Sequence, residues 1–85
     1  MDNKALKSIE TIMQRYRDID NDSGVHSFEI NDNSITVKFS GTTRSYTYSY
    51  ASAGQQHIEN MKRLALAGDG LNAYINKNVK HKYVR

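Results

Sequence analysis

The stretch VHSFEINDNSITVKFSGTTRSYTYSY, residues 25–50, decides the fold. Its apolar and aromatic side chains fall on alternate positions: Phe28 and Ile30, then Ile35, Val37 and Phe39, then Tyr46, Tyr48 and Tyr50. Two clusters of turn-forming residues, Asn31-Asp32-Asn33-Ser34 and Ser40-Gly41-Thr42-Thr43, cut the stretch into three. It reads as a three-stranded antiparallel meander. Setting Ile30 opposite Ile35 across the first turn puts Phe28 opposite Val37 and His26 opposite Phe39. Setting Phe39 opposite Tyr46 puts Val37 opposite Tyr48 and Ile35 opposite Tyr50. One sheet face is then apolar and aromatic. The other carries Ser27, Glu29, Thr36, Lys38, Ser45, Thr47 and Ser49, with Val25 its one apolar member, and is expected to be wet.

On either side of this stretch the period changes to that of a helix. Leu6, Ile9, Ile12, Met13, Tyr16 and Ile19 recur at steps of three and four, which predicts an amphipathic helix over about residues 3–18, ended by the Asp20-Asn21-Asp22-Ser23-Gly24 run. After Tyr50, with Ser52 as its cap, a second helix presents Ile58, Met61, Leu64 and Ala65 to the apolar sheet face. Gly68-Asp69-Gly70 breaks it. A last helix then carries Leu71, Tyr74, Ile75 and Val79. The expectation is a single α+β domain over residues 1–85, order α-β-β-β-α-α, with helices packed on one sheet face. The stripe of the first helix either fills the rest of that face or makes a homodimer or partner contact.

A chain of 85 residues holds one modest core, because a domain of this size buries only about 60% of its unfolded surface. It has no cysteine, so neither disulfides nor thiolate-bound zinc staple the fold. No apolar run approaches the length of a membrane span and the N-terminus does not read as a secretory signal, so a cytoplasmic protein without membrane contact is expected. The net charge of +3 is unevenly spread. Residues 1–43 carry five basic and seven acidic side chains, whereas residues 44–85 carry seven basic and two acidic. Lys77, Lys80, Lys82 and Arg85 close the chain with no acid among them, a pattern that attracts nucleic acid or an acidic protein surface, or else is a solvated tail.

Catalytic and metal chemistry find little here. The histidines His26, His57 and His81 lie far apart in the chain with no ligand-like spacing, and Glu59, two residues from His57, falls on another side of its helix. No nucleophile elbow, carboxylate pair or phosphate-loop signature is present. Gly68-Asp69-Gly70 precedes a helix whose N-terminus over Leu71 to Asn78 is a place for a phosphate, but a turn between helices accounts for the two glycines with no ligand. The stretch Arg44-Ser45-Tyr46-Thr47-Tyr48-Ser49-Tyr50 is the most distinctive. Alternating tyrosines beside an arginine form a platform for unpaired bases, although the register above turns the same rings toward the helices as core.

The triplet Ile35, Val37 and Phe39, followed by Gly41, Tyr46-Thr47-Tyr48, Ala67-Gly68-Asp69-Gly70, Leu71-Asn72, Ile75 and Tyr83, resembles the KTSC domain, a small module found at the C-terminus of some lysyl-tRNA synthetases and alone in bacterial and phage proteins. The resemblance covers about residues 25–83. It implies a small meander backed by helices and a role in RNA binding. The chain departs from the family where Ala51-Ser52 stands in place of a valine and proline, in the length of the Gly41 to Tyr46 link, and in the added N-terminal helix. The function expected is non-enzymatic binding of RNA or single-stranded nucleic acid, without metal or cofactor. Arg44, Lys77, Lys80, Lys82 and Arg85 contact phosphate in this reading, and Tyr46 and Tyr48 provide the stacking platform. The alternative is a protein-interaction module, such as a phage-encoded inhibitor of a host defence complex.

Overall fold

The computed structural model describes residues 13–19 and 24–85. Its centre is a four-stranded antiparallel sheet in the order β1-β2-β3-β4, formed by β1 (Gln14–Arg15), β2 (Val25–Asn31), β3 (Ser34–Phe39) and β4 (Ser45–Ser49). Three helices follow: α1 (Tyr50–Ala53), α2 (Gln55–Ala67) and α3 (Leu71–Tyr74), the last running on as a π-helical turn over Ile75–Val79. The α+β class and the helical second half agree with the sequence reading. The strand count and the helix order do not.

The meander is three strands of a four-stranded sheet. Residues 3–12 of the helix expected over 3–18 lie outside the described residues, but its end, 13–18, is not helical, and Gln14 and Arg15 pair with Phe28 and Ser27 at the edge of β2. The cause is tertiary. The Tyr16 amide donates to the His26 carbonyl at 2.9 Å, and the Tyr16 ring is buried with its hydroxyl accepting from the Leu71 amide at 3.2 Å. Bonds to two distant segments outweigh a helical period carried by Met13, Tyr16 and Ile19 alone, and Ile19 is in fact 62% exposed. A homodimer through an N-terminal helix therefore has no helix to use at residues 13–18.

Register follows the same logic of faces. Ile30 pairs with Ile35 and Phe28 with Val37, as expected, but a bulge between Val25 and Ser27 sets Val25, not His26, opposite Phe39. One extra residue reverses the alternation, so Val25 joins the core and His26 is exposed. Between β3 and β4 the observed pairs are Val37 with Tyr46 and Ile35 with Tyr48, two positions from the expected register. A slip of two leaves every side chain on its face. Tyr48 still points inward, and Tyr50 passes beyond the strand to begin α1.

Ser49 caps α1, whereas α2, the helix for which Ser52 is the expected cap, starts after Gly54 with no side-chain cap. The Ser49 hydroxyl accepts from the Ser52 amide and the Ser52 hydroxyl accepts from the Ser49 amide, each at 3.0 Å, a reciprocal capping box. Gly54, at φ 99°, separates α1 from α2, a break the sequence reading ran through. Gly68 ends α2 in the left-handed conformation, its amide donating to the Leu64 carbonyl at 3.0 Å, and Gly70 at φ 83° opens α3. Ile58, Met61 and Ala65 of α2, with Leu71, Ile75 and Val79, pack on Phe28, Ile35, Val37 and Tyr48 in one apolar cluster. Leu64 is only partly buried. The outward sheet face is lined by half-exposed polar residues, with Thr36 and Thr47 joined by hydroxyls 2.8 Å apart, while Ser27 is buried.

The C-terminal segment is not a loose end. The Val84 amide donates to the Thr47 carbonyl at 2.7 Å, along the free edge of β4, and the Ser52 hydroxyl donates to the Lys82 carbonyl at 2.7 Å. Ser52 thus serves cap and tail together. Ser52→Ala is expected to lower stability by about 1 kcal/mol and to speed amide exchange at Val84. Unchanged exchange at Val84, read by hydrogen-exchange NMR, would show that the tail is held without Ser52.

Candidate nucleic-acid interface

The tail lies across the end of β4 and brings distant residues together. Tyr83 stands edge-to-face on Tyr46, with ring centroids 4.9 Å apart, and also meets Tyr48 at 6.2 Å. Phe39 adds a further edge-to-face contact to Tyr46 at 5.8 Å. These rings form the apolar side of a groove of about 280 Å³, walled opposite by Ile75, Asn76, Lys80 and His81. The π-helical turn supplies that wall. It buries Ile75 and Val79 and carries the chain directly to Lys80 and His81.

A second groove, of about 370 Å³, adjoins the first and shares Tyr46 and Tyr83 with it; Arg44, Ser45, Val84 and Arg85 complete it. The Arg44 guanidinium carbon sits 5.6 Å from the centre of the Tyr46 ring, and that of Arg85 sits 4.8 Å from the centre of the Tyr83 ring. Arg85 also donates to the His81 carbonyl at 3.1 Å. Among the described residues no carboxylate side chain lines either groove, and the one ion pair, Lys62 with Glu59 at 3.1 Å, lies elsewhere. Arg44 and Arg85 are thus held by rings, Arg85 also by a carbonyl, and neither pairs with a carboxylate side chain among the described residues.

Of the residues expected at the site, the structure brings Arg44, Tyr46, Tyr48, Lys80 and Arg85 into the two grooves. Lys77 and Lys82 line neither. Tyr48 differs from Tyr46 in kind: its ring is 2% exposed, so it backs the groove and has no open face for a stacked base. Burial first, then the neighbouring Tyr46 and Tyr83 phenols, push its own phenol up to about 12. Phe39, His81 and Tyr83 belong to the site and were not in the expected set. Tyr83 is the central omission, because both grooves are built on it.

Two other polar clusters pair their own members, the first of them along an open groove of about 750 Å³ lined by Tyr50, Glu59, Lys62 and the β2–β3 turn. Tyr50 donates to Glu59 at 2.5 Å, and Lys62 joins Glu59 while donating to the Asp32 carbonyl at 2.9 Å, which ties α2 to the β2–β3 turn. The bond from Tyr50 lowers the Glu59 pKa, Lys62 adds to the effect, and the same bond raises that of Tyr50. The Tyr74 hydroxyl lies 2.7 Å from His57 Nδ1 and accepts from Asn60 at 3.0 Å, tying α3 to α2. No three His, Asp or Glu side chains converge among the described residues, and no described helix is long and apolar enough to cross a membrane. Comparison with models of known protein families, with curated proteins and with solved structures gives no match.

Proposed function

We propose that the protein binds single-stranded nucleic acid, RNA foremost, on the surface formed by β4, the π-helical turn and the C-terminal segment. The observation that carries this reading is the pair of arginines lying over rings, Arg44 at 5.6 Å from the Tyr46 centroid and Arg85 at 4.8 Å from the Tyr83 centroid, where two grooves share residues and no carboxylate side chain lines either. Positive charge beside aromatic faces is what an unpaired, sequence-tolerant strand requires: phosphate takes the cations and a base takes the rings. The resemblance of residues 25–83 to the KTSC domain points the same way. The alternative of a protein partner draws on the same charge, since an acidic surface is also attracted to it, but gives no role to open rings in a groove.

The test is fluorescence anisotropy of labelled single-stranded RNA and DNA across a salt series. With Arg44, Lys80 and Arg85 each meeting a phosphate, log affinity is expected to fall against log salt with a slope of about −2. Reversal of all three to Glu should remove binding, whereas Lys77→Glu, outside both grooves, should leave most of it. No binding of either strand at low salt would overturn the reading and leave the acidic protein surface.

A further inference from the structure

We infer that the two grooves are halves of one site for a single nucleotide, with the base over the aromatic groove and the phosphate at the edges of Arg44 and Arg85, so that a nucleoside monophosphate is by itself a sufficient ligand. This deepens the nucleic-acid reading and rests on it. The grooves share Tyr46 and Tyr83, whose centroids are 4.9 Å apart, so occupants of the two lie side by side. Their chemistry differs. The first has an apolar floor from Phe39, Tyr46 and Tyr83, with Asn76 and His81 present to hydrogen-bond a base edge.

The second is flanked by two guanidiniums lying over rings, at 5.6 and 4.8 Å. A guanidinium drawn to a ring by cation–π attraction keeps N–H groups free, and a pair of these is the part that matches two phosphate oxygens. The attraction also holds the side chain in place before the ligand arrives, so less rotamer freedom is lost on binding. Arg85 is held further by its bond to the His81 carbonyl, which leaves its remaining N–H groups for an anion. Lys80, on the wall of the base groove, is then the contact for a neighbouring phosphate in a longer strand, which adds affinity to the core unit.

The experiment titrates the full chain with uridine monophosphate, uridine and inorganic phosphate, following the aromatic NMR signals of Tyr46 and Tyr83 and the displacement of a labelled oligonucleotide. Uridine monophosphate should shift both tyrosines and displace the oligonucleotide. Arg44→Ala and Arg85→Ala should each weaken it about tenfold, a larger loss than either causes for uridine, which carries no phosphate. Inorganic phosphate matching the nucleotide would overturn the inference in favour of a bare anion site. An oligonucleotide that binds but is not displaced by the nucleotide would overturn it and leave the nucleic-acid reading standing. If the nucleotide binds and no oligonucleotide does, the nucleic-acid reading falls and the inference that rests on it falls too. If neither binds, both fall.

Discussion

Replacing Gly68 by alanine is expected to destabilise the fold by about 3 kcal/mol, a large share of the stability of a small domain. Two independent penalties meet there. Gly68 holds φ at 75°, where an L side chain is strained, and a Cβ on it would stand 2.7 Å from the Cβ of Arg17. The segment carrying Arg17 would have to lift. With it would go the bond from the Ile19 amide to the Gly68 carbonyl at 2.8 Å and those from the Arg17 guanidinium to the Leu66 and Ala67 carbonyls at 3.1 and 3.2 Å. Gly41 is the control. Its φ of 84° carries the same backbone strain, but nothing lies within 4 Å of a Cβ there. Gly41→Ala should therefore cost only about 1–2 kcal/mol. Urea denaturation midpoints measure both. Equal losses in the two variants would show that residues 16–19 yield freely and do not brace α2.

What could be read from the chain was what depends on periodicity. Alternation over residues 28–48 marks the side chains that face the core, and the two-residue slip between β3 and β4 did not disturb it, because parity survives an even shift. The bulge at Val25–Ser27 is an odd shift, and nothing in the composition of Val25-His26-Ser27 marks it. The strand at Gln14–Arg15 was hidden for another reason. Met13, Tyr16 and Ile19 satisfy a helical period, and the partners that hold Tyr16 extended, His26 and Leu71, lie far along the chain. A periodicity argument weighs local terms only, and here a long-range term prevails.

The site was legible as a composition and not as a shape. Arg44 and Tyr46 are neighbours on one strand, and Lys80 and Arg85 stood out by charge, but their meeting depends on the tail returning to β4 through the Val84 bond to Thr47. One signal was present and unused: Tyr83 is a large ring set among the basic residues of the tail, with apolar area to bury. Counting cations alone favoured Lys77 and Lys82 equally. Neither lines a groove, although both are exposed like Lys80, which does.

Tyr83→Ala should accordingly do more to binding than any single charge change. The ring lies between Tyr46 and Tyr48, supports Arg85, and is common to both grooves, so its removal takes away a stacking face and the platform of one phosphate contact together. Stacking of a base on one aromatic ring contributes about 1–3 kcal/mol by alanine substitution. With the loss of Arg85 orientation added, affinity for single-stranded RNA should fall on the order of a hundredfold. Tyr83 is only partly buried, and the backbone bonds on either side of it, from Ser52 to the Lys82 carbonyl and from Val84 to Thr47, do not involve its side chain. The fold should survive the change, which circular dichroism and the urea midpoint would verify. Tyr83→Phe keeps the ring and should bind almost as the unaltered chain does. If Tyr83→Ala binds RNA as tightly as Tyr83→Phe, the rings are packing only and the strand is held by charge alone; if it loses binding while Tyr83→Phe retains it, the aromatic surface is the site.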